Sequence, residues 1–420
     1  MRCVNIADAR TVEKVLRTDQ RFQMRPGLEA VNEIIDEISE DGESFKITSN
    51  NYDEWQPHRA LVSPRLLRPK EVKKQFPLLN SVANDFMKRL NHLSEHDETV
   101  RNFEDELTFW SIESTSAFLF NHRLGFYDHP PDPIAVEFTE AAMKMLSSLT
   151  KILHSGPFHK YTRAGDTFKT SLLTMHKTYL AIYDRFGTSG EQAKTDIRQK
   201  QTFHQYLSSQ GKTPHEIVWV ISGLMAGGIE TTSTTCLWLL YQLAQHQEIQ
   251  ERLYQELASS LGPDEEISAD KIPLYLKAAL KESQRIYPTA SVVPRAFDKD
   301  IELHGYHIPA GVNVLIQNHL LSVNKDCHGE DAKKFEPERW MRDDVTEKKH
   351  KINPFSSLPF GHGVRMCLGK RVAESTIYTL VSKILLSYRL EYADEKEVKR
   401  SFIGGIMRPD TPIRLRFKRR

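Results

Sequence analysis

The chain has 420 residues, with 57 Lys and Arg against 56 Asp and Glu and a formal net charge of +1. So even a balance gives no electrostatic reason to expect a nucleic acid or a strongly acidic polymer as partner. The four cysteines, Cys3, Cys236, Cys327 and Cys367, show neither C-x-x-C pairing nor zinc-ligand spacing, which argues against a disulfide framework and makes a reducing compartment the default.

In chain order, Asp8, Arg10 and Glu13 already fit an amphipathic helix, so no signal or transit peptide is read at the front. Val82, Phe86 and Leu90 recur at helical spacing. Helices are expected over Asp105–Phe120, Thr167–Arg185, Pro214–Gln245 and Leu274–Arg285. Pro130-Pro131 and Gly187–Gln201 read as surface loops. Ile217–Ile229 is apolar but too short for a membrane span, and it carries Ser222 and glycines, so it reads as buried helix. Strands are expected over Ile301–Ile308 and Val312–Gln317, flanking the turn residues Pro309-Ala310-Gly311. Ile377, Val381 and Leu385 mark a further helix, and Phe402–Phe417 holds short strand-like pieces around Gly404-Gly405. The fold class is mainly α with small β-sheets, without repeats or low-complexity linkers.

Four segments carry chemistry. Phe360-Gly361-His362-Gly363-Val364-Arg365-Met366-Cys367-Leu368-Gly369 sets one thiol in a glycine-punctuated loop ahead of a helix. The helix end and Arg365 both favour a thiolate, a soft and strongly donating iron ligand. A cysteine alone fits a buried structural role equally. Ala226-Gly227-Gly228-Ile229-Glu230-Thr231-Thr232 puts two glycines in mid-helix, at about 1 kcal/mol each relative to alanine. Either the helix passes close over a flat group, with Glu230 and Thr231 handling protons, or the acid lies at the surface and the hydroxyls back-bond to the helix. Glu282 and Arg285 share a helix face, as a solvated pair or a buried one. Trp55 and Arg59, one turn apart, present an indole N–H and a guanidinium suited to a carboxylate.

The thiol loop matches F-x-x-G-x-R-x-C-x-G at every fixed position, and the chain resembles the cytochrome P-450 superfamily from about residue 10 to its end. Ala226–Thr231 then matches its oxygen-binding motif, Glu282-Ser283-Gln284-Arg285 its E-x-x-R, and Pro337-Glu338-Arg339-Trp340 its later P-E-R motif. The resemblance implies one haem domain over residues 1–420, in the triangular α-rich fold, with the anchor or transit segment and the first helix and strands lacking at the front. It implies haem b bound through Cys367, with Trp55, Arg59, Arg295, Arg365, Phe360 and Gly361 around the cofactor. Glu230 and Thr231 become catalytic, and Glu282, Arg285 and Arg339 a buried charge triad. Ala226, Gly227, Val292, Val293 and Ile406, with part of Leu28–Ile38, become pocket walls.

Lys277 and Lys281, at i, i+4, and the basic pair Lys370-Arg371 resemble the mitochondrial-type branch, where such lysines dock an acidic ferredoxin. A solvated helix face is the other reading of the two lysines. Ile352-Asn353-Pro354-Phe355, Glu54-Trp55 and Arg68-Pro69 are similar to vitamin D 24-hydroxylase-like and sterol 27-hydroxylase-like members. The implied function is a haem-thiolate monooxygenase that inserts one atom of O2 into a C–H bond of a sterol-like or secosteroid-like lipophile. Its implied partners are an adrenodoxin-like ferredoxin with its reductase. Its implied location is the matrix side of the mitochondrial inner membrane, peripherally associated. The alternatives are a haem-binding truncated isoform or sensor without turnover, and a fold relative that uses no external electrons.

Overall fold

A 32-residue helix, Pro214–Gln245, runs through the centre of the molecule. Thr213 and Glu216 exchange side chain-to-backbone hydrogen bonds at its start, and Pro214 occupies its first turn, so the helix begins where the sequence says it must. Its apolar residues lie all round rather than along one stripe, and almost every one is buried. The exception is in mid-helix, where Gly227 is exposed and Ala226, Gly228 and Thr231 are only half-buried.

The computed structural model describes residues 2–18, 23–24, 26–39, 44–49, 51–95, 98–186, 201–262, 265–341, 352–403 and 405–420. The expected loop at Gly187–Gln201, apart from Gln201, lies outside these residues, as does Gly404. No described helix is long and apolar enough to cross a membrane.

Three apolar clusters form the core, and the first two include the central helix. In the first, Val82, Phe86 and Leu90 of helix Phe76–Leu93 meet Leu240 and Tyr241, together with Ile377, Val381 and Leu385 of helix Lys370–Ser387. In the second, Ile217 and Ile221 pack under the antiparallel pair Pro133–His154 and Arg163–Phe186 through Ala142, Met145, Phe168 and Met175. The third joins Val12, Val15 and Leu16 of helix Ala9–Arg17 to Val314 and Ile316 of a sheet and to Phe355 and Leu358 ahead of the thiol loop.

That sheet has four strands in the order Cys3–Ile6, Asn313–Ile316, Val293–Phe297, Gln23–Met24. The first pair is parallel and the other two are antiparallel. The strand Cys3–Ile6 is not among the elements expected from sequence. The helical pattern begins only at Ala9, where Asp8 caps the helix by accepting from Thr11 N at 2.8 Å. Two expected strands also differ. Ile301–Ile308 is a hairpin, Ile301–Leu303 against Tyr306–Ile308, because His304 and Gly305 both turn at positive φ, +51° and +78°. Pro309-Ala310-Gly311 then carries the chain to a different sheet, where Asn313–Ile316 pairs. Near the C-terminus, Arg400–Ile403 pairs with Ile406–Pro409, and Leu415–Arg419 with Tyr388–Tyr392.

Candidate active site

The thiol loop is shaped by its own backbone. Cys367 N donates to Phe360 O at 2.9 Å, and Met366 N donates to Gly363 O at 3.0 Å. Gly361 and Gly363 sit at φ +69° and +77°, which an L side chain adopts only under strain. The turn leaves Cys367 exposed, two residues ahead of Gly369, the N-cap of helix Lys370–Ser387. A Cβ added at Gly369 would stand 3.9 Å from Cys367 Sγ.

Helix Tyr52–Leu66 is tied to this loop. Arg59 Nη1 donates to Met366 O at 2.7 Å. Arg365 is buried, with its guanidinium 3.9 Å from the centre of the Trp55 ring and Nη1 donating to Ser49 O at 2.9 Å. Arg59 lies over the same indole at 5.6 Å. Trp55, Arg59 and Arg365 therefore form one cluster against Phe360–Cys367. Arg295 is buried on strand Val293–Phe297, where Nη1 donates to Pro294 O at 2.8 Å.

A residue that sequence reasoning missed joins the sheet side to the loop. Asn318 is fully buried; its Nδ2 donates to Ala290 O at 3.0 Å and Leu358 O at 3.2 Å, and its Oδ1 accepts from Leu358 N. The segment it holds carries Val292 and Val293, both half-buried. Ala290 bridges to Ile406, and Ser291 N and Oγ both donate to Gly405 O, so Ile406 is brought beside that segment. Ala226 and Gly227 belong to the stretch of the central helix that is open in mid-helix. A Cβ at Gly227 would meet nothing within 4 Å, while one at Gly228 would meet Thr115 at 3.4 Å. Of the segment Leu28–Ile38, helix Glu29–Ile38 packs into the second cluster with Leu28, Ala30, Ile35 and Ile38 only partly covered.

Thr231 Oγ1 donates to Gly227 O at 2.8 Å, so its hydroxyl back-bonds to the helix in this structure. Ser233 and Thr235 do the same to Glu230 O and Thr231 O, at 3.1 and 2.7 Å. Glu230 is buried and faces a different way, pairing with Arg408 of strand Ile406–Pro409. Burial pushes its pKa up, against the pull of Arg408. Arg408 is a second residue that the sequence did not announce, since its partner lies 178 positions away.

The charge triad is brought together in full burial. Arg285 holds Glu282 through two parallel bonds of 2.7 and 2.8 Å, with both side chains 0% exposed. Arg339 Nε reaches Glu282 Oε1 at 3.2 Å, Trp340 Nε1 reaches Oε2 at 2.8 Å, and Glu336 N reaches Oε1 at 3.2 Å. The remaining guanidinium groups bind backbone carbonyls of Ser322, Ala332, Lys334, His328 and Asp331.

Lys277 and Lys281 lie on helix Leu274–Ile286 but in different surroundings. Lys277 acts on Asp270. Lys281 Nζ stands 3.8 Å from the centre of the Trp340 ring, and its pKa is lowered by partial desolvation and then by Lys370. Lys281, Lys370 and Arg371 all act on Glu374, whose carboxyl burial pushes up. Lys281 thus stands with the basic pair around Glu374, while Lys277 acts on Asp270.

The donor set suits an iron porphyrin. A soft thiol is exposed on the loop, two guanidiniums and an indole ring cluster beside it, and the central helix leaves open space at Gly227.

The cytochrome P450 family profile matches residues 1–417, and the chain belongs to that family. It is a monooxygenase, with the mainly helical fold of the family. Among its relatives, cytochrome P450 10 of Lymnaea stagnalis is 30% identical over 390 residues, covering 90% of this chain and 70% of the relative. The mitochondrial 1,25-dihydroxyvitamin D(3) 24-hydroxylase of Mus musculus is 30% identical over 376 residues, covering 87% and 70%. The mitochondrial sterol 26-hydroxylase of Homo sapiens is 28% identical over 441 residues, covering 99% and 80%.

Proposed function

We propose that residues 1–420 form one haem domain that hydroxylates a sterol-like or secosteroid-like lipophile, with electrons drawn from a ferredoxin in mitochondria. The observation that carries this reading is the exposed Cys367 thiol, held on a glycine-shaped loop and joined through Met366 O to the Trp55, Arg59 and Arg365 cluster. Haem bound at Cys367 would supply the activation of O2.

The chain's residues do the rest. Cys367 would hold the haem iron through its thiolate. Trp55, Arg59, Arg365 and Arg295 orient the cofactor through its carboxylates, with Phe360 and Gly361 framing the loop. Ala226, Gly227, Val292, Val293 and Ile406, half-buried or exposed in this structure, line an apolar space that excludes water and holds the lipophile. Thr231 gives up its bond to Gly227 O to hold a proton at its hydroxyl oxygen, and Glu230 replenishes that proton. Glu282, Arg285 and Arg339 fix the polypeptide behind the thiol loop. Lys277, Lys281, Lys370 and Arg371 offer an acidic redox partner one basic face, which speeds encounter. The similarity to enzymes named as mitochondrial supports the location and the partner, and the sterol and vitamin D hydroxylases support the substrate class. Peripheral contact with the membrane follows from a lipophilic substrate.

The test is the reduced carbon-monoxide difference spectrum of the purified protein and of Cys367→Ser. The wild type should show the thiolate-type band and the variant should not. Retention of the band by the variant would assign the ligand elsewhere. Turnover should then be compared with ferredoxin and with a microsomal-type flavoprotein reductase. A thiolate band without turnover by either donor would leave a haem-binding protein that is not catalytic.

A further inference from the structure

Trp340 touches two charges of opposite sign. Its indole Nε1 donates to Glu282 Oε2 at 2.8 Å, and the Lys281 ammonium stands 3.8 Å from the centre of its ring. Lys281 and Glu282 are neighbours in helix Leu274–Ile286, and successive helical residues point to different sides. Lys281 is exposed and Glu282 is fully buried. Trp340 ends the short helix Pro337–Trp340 and is half-buried. The edge of its indole is therefore fixed to the buried triad, and its face is left to the exposed cation.

The Glu282 carboxylate has nothing left for Lys281. Its oxygens accept from Arg285, Arg339, Glu336 N and Trp340. Among the described residues Lys281 forms no ion pair, and the Trp340 ring is what it meets. A lysine side chain samples many rotamers, and an ammonium that wanders is a poor target for a partner that must dock in one orientation. An ion pair would fix the ammonium but neutralise it. The ring does otherwise. A cation over an indole face is held by the ring quadrupole, and tryptophan is the best of the aromatic seats. The ring brings no counter-charge, so the positive charge stays whole. The arrangement recurs nearby, where the Lys370 ammonium lies 5.5 Å from the centre of the Phe360 ring on the thiol loop.

We propose that Trp340 is a positioning residue for redox-partner docking: its ring holds the Lys281 ammonium in one place, uncompensated, for a surface carboxylate of an acidic ferredoxin. The proposal rests on the reading of Lys281 as part of the docking face. The ring sets the affinity and orientation of the complex and takes no part in the chemistry.

Equilibrium binding of a purified adrenodoxin-like ferredoxin to the haem-loaded protein tests this, read beside urea unfolding. W340L removes both the ring and its N–H. W340F removes the N–H that Glu282 uses and keeps an aromatic face. W340L should raise Kd about two- to fivefold, the size of one exposed cation–π contact. W340F should leave Kd close to the wild-type value. Both variants should lower the urea midpoint, because both take a donor from Glu282. Affinity then follows the ring face and stability follows the N–H, whereas a merely structural role would move the two together. W340L placed in a K281M background should add nothing to the Kd of K281M. An unchanged Kd in W340L where K281M raises it, an equal rise in W340F and W340L, or additive effects in the double variant would each overturn the proposal. An unchanged Kd in K281M would overturn the docking reading beneath it, and the proposal would fall with that reading.

Discussion

Replacing Glu282 by glutamine removes a single charge from the most enclosed ion cluster among the described residues. Oε1 of Glu282 accepts from Arg285 Nη2, Arg339 Nε and Glu336 N, and Oε2 accepts from Arg285 Nε and Trp340 Nε1. A glutamine amide must turn its NH2 group toward one of those two sets, so at least two buried donors face another donor. Each buried donor left unsatisfied costs about 1–3 kcal/mol. Breaking a buried pair so that guanidinium charge is uncompensated costs about 3–5 kcal/mol, and the two effects overlap rather than add. The expected loss is therefore about 3–5 kcal/mol, a large share of the ~5–15 kcal/mol that holds a native protein together. Urea unfolding followed by circular dichroism measures it. Lys334→Ala is the matched control, since the Lys334–Asp331 pair is 69% and 51% exposed and water screens it. A loss below about 1 kcal/mol in Glu282→Gln, or equal losses in the two variants, would refute the argument that burial gives this cluster its weight.

Thr231→Ala should keep haem binding and change stability by less than about 1 kcal/mol, because the hydroxyl now only back-bonds to Gly227 O. It should release more peroxide per electron consumed, as a coupling assay would show. Neutralising Lys277 and Lys281 together should depress ferredoxin-driven turnover far more than peroxide-driven turnover, and rising salt should shrink the difference, since exposed charges are screened beyond about 8 Å. Equal loss in both assays would mean that the lysines serve folding instead. His328 is buried, and desolvation, then Arg285, lower its pKa from 6.5 to about 4. Between those values the unfolded chain binds a proton that the folded chain refuses. Stability should therefore fall as pH drops from about 6.5 to about 4, and His328→Gln should flatten that slope in urea midpoints taken along it.

The long helices were legible because their ends carry their own chemistry. Pro214–Gln245 begins at a capping box followed by proline and matches its expected bounds. Leu274–Ile286 matches to within one residue. Helix Phe103–Phe120 starts two residues early, at a residue with no side-chain cap to mark it. The short strands were harder. Ile301–Ile308 shows no strong turn dipeptide, and Cys3–Ile6 is fixed by a partner more than 300 residues away. Within the site, local spacing exposed Cys367, the Trp55–Arg59 turn and Glu282–Arg285. Asn318 and Arg408 stayed hidden because each matters only through segments remote in sequence. The direction of the Thr231 hydroxyl, which turns to Gly227 O in this structure, is likewise not written in the local sequence.

Gly227 sets packing economy against capacity. A methyl group placed there would meet no atom within 4 Å, and alanine in a helix interior is about 0.5–1 kcal/mol better than glycine. Gly227→Ala should therefore strengthen the central helix without disturbing a neighbour, while filling part of the open space beside it. At Gly228 the same change would put the methyl in ordinary van der Waals contact with Thr115, at 3.4 Å. The two adjacent glycines thus differ: at one an added methyl would just touch the neighbouring helix, and the other keeps volume available that a sturdier sequence would occupy.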